Sequence, residues 1–396
     1  MDQLISERAS SGAIPGTTAR RLYDPRLDGL KGLAVLALAT THVMAFLSLD
    51  DTDPVDHPIL MALINGANAV LHNSAAVILA FVLTGYLFAI SLRREQSTLT
   101  FLLRRAMYIL PALWVAVLFA FAIFKFIRPT IGFPDPTEFF LAASRVPGLW
   151  ELGLNLAPYA GRVILPTWAI IPLLTGSVVV LVFAVVSRWV GAMGQLALFA
   201  VTVWLTFVAG RQLTSILYLF CFLAGGWLVA DVVAPAIKHR ALAHGVALVG
   251  LMMVCCDVDY LPTTGLLTMR LWYTIGAVLL VGAITSQPEP WTWLASPPLR
   301  RVGQISYSFF LIHLPVIYAV SVAMYASPIP FGSGVVGNFQ IFAIGMPVSY
   351  LAAQVLHACV ERPSIDLGRN AAPYVRGLWA KRGDYQDMVN SSENPM

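Results

Sequence analysis

The sequence predicts an all-α polytopic membrane protein of about ten transmembrane helices with both termini on the cytoplasmic side. Three observations predict it. Of 396 residues 58% are hydrophobic and only 12% charged, where a soluble domain carries about a quarter charged residues. Apolar runs near the roughly 20 residues that a bilayer core requires recur at 29–49, 69–91, 105–127, 166–186, 190–209, 212–232, 241–256, 266–286, 304–326 and 337–359. With the N-terminus placed inside, 19 of the 25 Lys and Arg residues fall on the cytoplasmic side, the bias that orients membrane helices. Asp50, Asp51, Asp53, Asp56, Asp257 and Asp259 collect on the other side. The net charge of +4 is therefore a matter of topology and gives no reason to expect nucleic acid as a partner.

Taken in order, residues 1–27 are polar, with no small-residue cleavage site after the first apolar run, and read as a cytoplasmic tail ahead of a signal anchor. The first span, LDGLKGLAVLALATTHVMAFL, places Asp28, Lys31 and His42 on one helical face. Lys31 and His42 are eleven positions apart, roughly 16 Å along a helix axis. An ionisable group at membrane depth costs about 3 kcal/mol on insertion scales, so it normally faces a protein interior or a wet cavity. His42 suits a general base, because an imidazole titrates near neutrality and takes a hydroxyl proton. It suits equally well a structural hydrogen bond between helices.

The second span opens with His72, Asn73 and Ser74 near the outer face. RREQSTLTFLLRRAMYILPALW puts Arg93, Arg94, Arg104 and Arg105 on the short inner connection and the base of the third span. Topology alone accounts for basic residues there; so does an anion site, because guanidinium forks match phosphate oxygens. Within the proline-rich connection 128–165, Asp135-Pro136-Thr137-Glu138 has the order of an N-cap, a proline at N1 and an acid at N3, which predicts a short interfacial helix. In residues 300–320, RRVGQISYSFFLIHLPVIYAV, Ser306, Tyr307, Ser308 and His313 interrupt an apolar helix, more polar groups than packing needs. The last span closes with His357 and Glu361. A glutamate at a helix C-terminus opposes the macrodipole, so a basic partner is expected, with the arginine group as the candidate. The four cysteines lie in or beside apolar runs without CxxC spacing and read as packing residues, so no metal site is implied. The domain plan is an N-terminal cytoplasmic tail, 1–27, a membrane domain, 28–362, and a C-terminal cytoplasmic tail, 363–396.

These segments, in this order, resemble the membrane-bound acyltransferase 3 family. RLDGLKGLAVLALATTH is similar to its opening motif, a basic residue and a histidine separated by ten positions, here Lys31 and His42. FVLTGYLF, LRRAMYILPALW, SPPLRRVGQISYSFFLIHLPV and VERPSIDLGR resemble its later elements, so the likeness spans 26–368. Two positions depart from the pattern. Tyr108 stands where a third arginine is usual, and Leu173 where an acid is expected after Trp168.

The resemblance implies transfer of an acyl group, commonly acetyl, from a cytoplasmic acyl-CoA cosubstrate to a hydroxyl of a carbohydrate or other envelope or secreted acceptor. It implies a multi-pass protein of a bacterial-type inner membrane, with no bound cofactor. His42 would be the catalytic histidine, with Asp28 beside it on the same helix. Lys31, Arg104 and Arg105 would hold the donor, and Ser306, Tyr307 and His313 carry over as site-lining positions. Two other readings compete: a transporter or flippase of an envelope precursor, in which buried His and Lys form a proton path, and a catalytically inactive relative.

Overall fold

In a hydrocarbon environment every backbone N–H and C=O must be satisfied within the protein, and a helix does this locally. The computed structural model describes residues 24–47, 73–94, 98–127, 148–157, 168–210, 218–256, 266–325, 327 and 334–374, with the isolated positions 59, 62 and 66. Among the described residues there is no strand. In chain order the helices are α1 (Pro25–Leu47), α2 (Asn73–Arg94), α3 (Thr98–Ala122), α4 (Leu149–Leu156), α5 (Ile170–Val186), α6 (Ala192–Gly210), α7 (Leu219–Leu223), α8 (Arg240–Cys255), α9 (Leu266–Ser286), α10 (Pro297–Gln304), α11 (Ser306–Tyr325) and α12 (Gly334–Leu356). Three widen into π-helix at their ends: α3 through Ile123–Ile127, α7 through Ala224–Val233 and α12 through His357–Glu361. A 3₁₀ segment, Glu289–Ala295, joins α9 to α10.

Six stretches are long and apolar enough to cross a membrane, in α2, α3, α7, α9, α11 and α12, and α5, α6 and α8 are shorter apolar helices. The chain is an all-α, multi-pass membrane protein. The interfacial helix expected at Asp135, and His72, lie outside the described residues. The third helix begins at Thr98, seven residues ahead of the expected span 105–127, and Arg104 and Arg105 stand near its base. The expected span 304–326 is α11, set off from α10 by a kink at Ile305. Helix continues beyond Glu361 to residue 374, past the expected domain boundary at 362.

α1 is the shared stave of two buried clusters. Its Leu27, Leu30, Ala34 and Leu38 pack with residues of α2, α7 and α9. Its Val35 and Ala39 pack with residues of α3 and α11 and with Ile170. Arg26 fixes its foot by donating from Nη1 to the carbonyls of Ile284, 2.7 Å, and Gln287, 3.1 Å, acceptors at the end of α9 that lack an intrahelical donor. Glycines let backbones touch. A Cβ on Gly303 would stand 1.6 Å from the carbonyl oxygen of Asp28, and one on Gly29 1.8 Å from that of Leu294, so α1 meets α10 and the 3₁₀ segment main chain to main chain.

The crossing of α2 with α7 is built the same way: a Cβ on Gly85 would lie 2.1 Å from the carbonyl oxygen of Phe222, and one on Gly225 1.8 Å from that of Val82. Overpacking at such a seam costs about 1–3 kcal/mol. Gly85→Ala and Gly225→Ala are each expected to lower the unfolding midpoint of the purified protein in detergent. Gly245→Ala in α8, where the added methyl meets nothing within 4 Å, should leave the midpoint unchanged or raise it, since alanine is the better helix former.

Candidate active site

His42 comes from α1 and His313 from α11, 271 positions apart in sequence, and their rings meet deep in the bundle. His42 Nδ1 is 3.0 Å from His313 Nε2. The ring planes differ by 4° with centroids 5.3 Å apart, the arrangement of two imidazoles joined edge to edge along an in-plane lone pair. Both are buried, His42 at 5% and His313 at 0% exposure. His313 Nδ1 faces the carbonyl oxygens of Phe309, 3.1 Å, and Phe310, 2.9 Å. A carbonyl only accepts, so Nδ1 of His313 carries the proton. In a neutral ring Nε2 is then the acceptor, and His42 donates to it from Nδ1. That assignment follows from the hydrogen-bond pattern, and it puts the lone pair of His42 on Nε2. A partner on one ring nitrogen fixes which nitrogen is basic.

Below this pair, toward the start of α1, the other polar segments converge. Lys31 Nζ pairs with Asp28 Oδ1 at 2.7 Å. The half-buried lysine is thus held by a carboxylate that is itself 7% exposed. Asp28 stands fourteen residues before His42 on the same helix, about 21 Å along the axis, so its contact is with Lys31 and the partner brought to His42 is His313. Arg105 lies over the rings of Phe88, 4.0 Å from the centroid, and Phe101, 5.3 Å. Arg104 precedes it, half-buried on the same helix.

Tyr307 donates from its hydroxyl to the carbonyl of Ile109 at 2.8 Å, and its ring stacks on that of Tyr108 with centroids 5.2 Å apart. This ties α11 to α3. Ser306 is half-buried in the first turn of α11, seven residues before His313 and about 10 Å from it along the helix. Ser308, fully buried, donates to Glu361 Oε2 at 2.5 Å. His357 Nδ1 lies 3.1 Å from the same oxygen. Glu361 is 1% exposed. The side chains that meet it are thus a histidine one turn away on its own chain segment and a serine of α11, and helix runs on past it.

A 540 Å³ apolar cavity lies between α1, α2, α8, α9 and the 3₁₀ segment, lined on α1 by Leu33, Ala37 and Thr40 among others. At 3.6 residues per turn those positions are roughly opposite Lys31 and His42. The cavity and the histidine pair therefore occupy different sides of the same helix. Among the described residues no group of three or more His, Cys, Asp or Glu side chains could hold a metal ion.

A family model described as acyltransferase domain matches residues 24–358, which span α1 to the π-helical end of α12. The chain belongs to the acyltransferase 3 family. No curated protein and no solved structure matches it. Within this acyltransferase 3 chain the two departures from the family pattern have defined surroundings. Tyr108, in the place of an arginine, stacks on Tyr307. Leu173, in the place of an acid, packs against both buried clusters.

Sequence reasoning missed one group. Arg270 of α9 is 8% exposed. It stands within LLTMRLWYTIGAVLL, and an arginine inside an apolar span is the same signal that singled out His42.

Proposed function

We propose that this chain is a membrane O-acyltransferase that moves an acyl group, commonly acetyl, from a cytoplasmic acyl-CoA to a hydroxyl of a glycan or other envelope or secreted acceptor. The observation that supports this most is the His42–His313 pair: a buried imidazole whose tautomer is set by a second imidazole, itself set by backbone carbonyls. His42 Nε2 takes the proton of the acceptor hydroxyl as its oxygen attacks the thioester carbonyl carbon. The new C–O bond gives a tetrahedral oxyanion. Its collapse breaks the C–S bond, and the proton on His42 passes to the departing thiolate, so an alcohol and a thioester become an ester and a thiol. His313 stays neutral in the resting state and accepts from His42 Nδ1, which stabilises the imidazolium that forms.

Lys31 and the arginines of α3 would hold the phosphates of the donor. Asp28 acts through Lys31, whose ammonium it fixes in place. Ser306 and Tyr307 shape the route between mouth and histidine pair, Tyr307 by tying α11 to α3. On the basic-residue bias the two tails and the inner mouth would face the cytoplasm, in a bacterial-type inner membrane as the family resemblance implies, with the acceptor approaching from the other side.

The test is thioester turnover by the purified protein with acetyl-CoA and a panel of hydroxyl acceptors, read as free thiol and as mass gain on the acceptor. Transfer that depends on His42 supports the proposal. Absence of His42-dependent transfer together with proton-coupled uptake into vesicles would overturn it in favour of a transporter. In the same assay Arg105→Gln is expected to raise KM for acetyl-CoA about tenfold, the loss of one charge-assisted contact, with KM for the acceptor unchanged.

A further inference from the structure

Arg270 is buried at the end of the bundle away from Lys31, and its Nη1 has no hydrogen-bond partner. Its guanidinium lies over the ring of Tyr218, 4.7 Å from the centroid. Among the described residues no carboxylate pairs with it. Buried guanidinium groups are ordinarily paired and hydrogen-bonded, because removing the charge from water is costly. A buried arginine with no carboxylate partner among the described residues is suited to an anion that arrives with a ligand.

Its placement ties it to the histidine pair. Arg26 at the foot of α1 touches the carbonyl of Ile284. Arg270 stands fourteen residues from Ile284 along α9, and His42 sixteen residues from Arg26 along α1. At 1.5 Å per residue these are paths of about 21 and 24 Å, so the two groups reach a similar height. Trp168 lies just ahead of α5. Tyr218 packs on Trp168, centroids 5.2 Å apart, and Ile170, two residues on, belongs to the same buried cluster as Val35 and Ala39 of α1. Trp168 is half-buried, which leaves an aromatic surface beside the cation.

We infer that Arg270 is the acceptor-recognition residue of this site and that the acceptor carries an oxyanion, the carboxylate or phosphate of a sugar-like ring, which the guanidinium binds while the ring lies against Trp168. This rests on the acyltransferase reading for the word acceptor, but the binding it predicts does not require transfer. The probe is glucuronate, a carboxylated hexose, against neutral glucose at the same concentration. The readout is the unfolding midpoint of the purified full chain in detergent without phospholipid.

Glucuronate is expected to raise the midpoint of the wild-type protein, and glucose is not. Arg270→Met should abolish the response while leaving the ligand-free midpoint at or above that of the wild type, because a buried charge has been replaced by a packed apolar chain. Arg270→Lys, which keeps the charge and loses the fork, should weaken the response about tenfold in apparent affinity. Arg105→Gln should retain it in full.

A wild-type response to glucuronate no greater than to glucose would overturn the proposal. So would an Arg270→Met protein that keeps the response. Loss of the glucuronate response on adding phosphatidylglycerol would assign Arg270 to a lipid headgroup and overturn the acceptor role. Transfer without the response removes the anion site and leaves the acyltransferase; an Arg270-dependent response without any transfer does the reverse.

Discussion

His42→Ala is expected to reduce acyl transfer by about 10²–10⁴-fold in kcat, the range a positioned general base contributes, with KM for acetyl-CoA unchanged. The donor grip proposed at Lys31, Arg104 and Arg105 lies near the foot of α1, so a substitution eleven residues along the helix should spare it. His42 is 5% exposed and hydrogen-bonded to His313, and its loss also leaves His313 Nε2 without that donor. A control must separate lost chemistry from lost structure. Binding of coenzyme A, measured by its effect on the unfolding midpoint, should survive in the variant. If transfer persists at more than a tenth of the wild-type rate, His42 is not the base.

His313→Phe is expected to cost nearly as much as loss of His42 itself. The aromatic ring fills the space, but it offers no acceptor for His42 Nδ1–H and nothing to steady the imidazolium. The tautomer of His42 is then free, and its basic nitrogen need not face the acceptor. Residues that act as a unit are non-additive, so His42→Ala combined with His313→Phe should be about as slow as His42→Ala alone. Fully multiplicative losses would show that the two histidines act independently and that the 3.0 Å contact is structural. His313→Gln, which still presents an acceptor oxygen, should recover part of the activity, an outcome that a simple packing role does not predict.

Several parts of this arrangement were legible in the sequence. The apolar spans follow from transfer energies summed over 20-residue windows, and among the described residues there is no strand and six helices are long and apolar enough to cross a membrane. The placing of Lys31 and His42 on one face is a property of helical periodicity alone, and the family follows from the order of the motifs. What lay beyond it were contacts between helices far apart in the chain. Nothing local pairs His42 with His313, or Ser308 with Glu361 53 positions away; these depend on how α1, α11 and α12 cross. Asp28 shares a face with His42, but a face has length as well as direction, and Asp28 pairs with Lys31 one turn away. Arg270 is legible in the same way as His42, as a charge inside an apolar run. The π-helical widening at His357–Glu361 has no composition signature, and the segment packs against α3.

The backbone seam between α1 and α10 sets a length. With Gly303 against the carbonyl of Asp28 and Gly29 against that of Leu294, no side chain intervenes that a rotamer change could shorten. α1 therefore cannot slide along its axis against that end of the bundle without main-chain collision. The rise from Lys31 to His42, about 16 Å, then acts as a ruler built into one helix. A donor whose phosphates are held at the mouth must have an arm that covers this rise to deliver its thioester. Thioesters clipped between phosphate and sulfur would be held at the foot and turned over slowly, and lengthening α1 by one full turn between Lys31 and His42 would demand a longer arm.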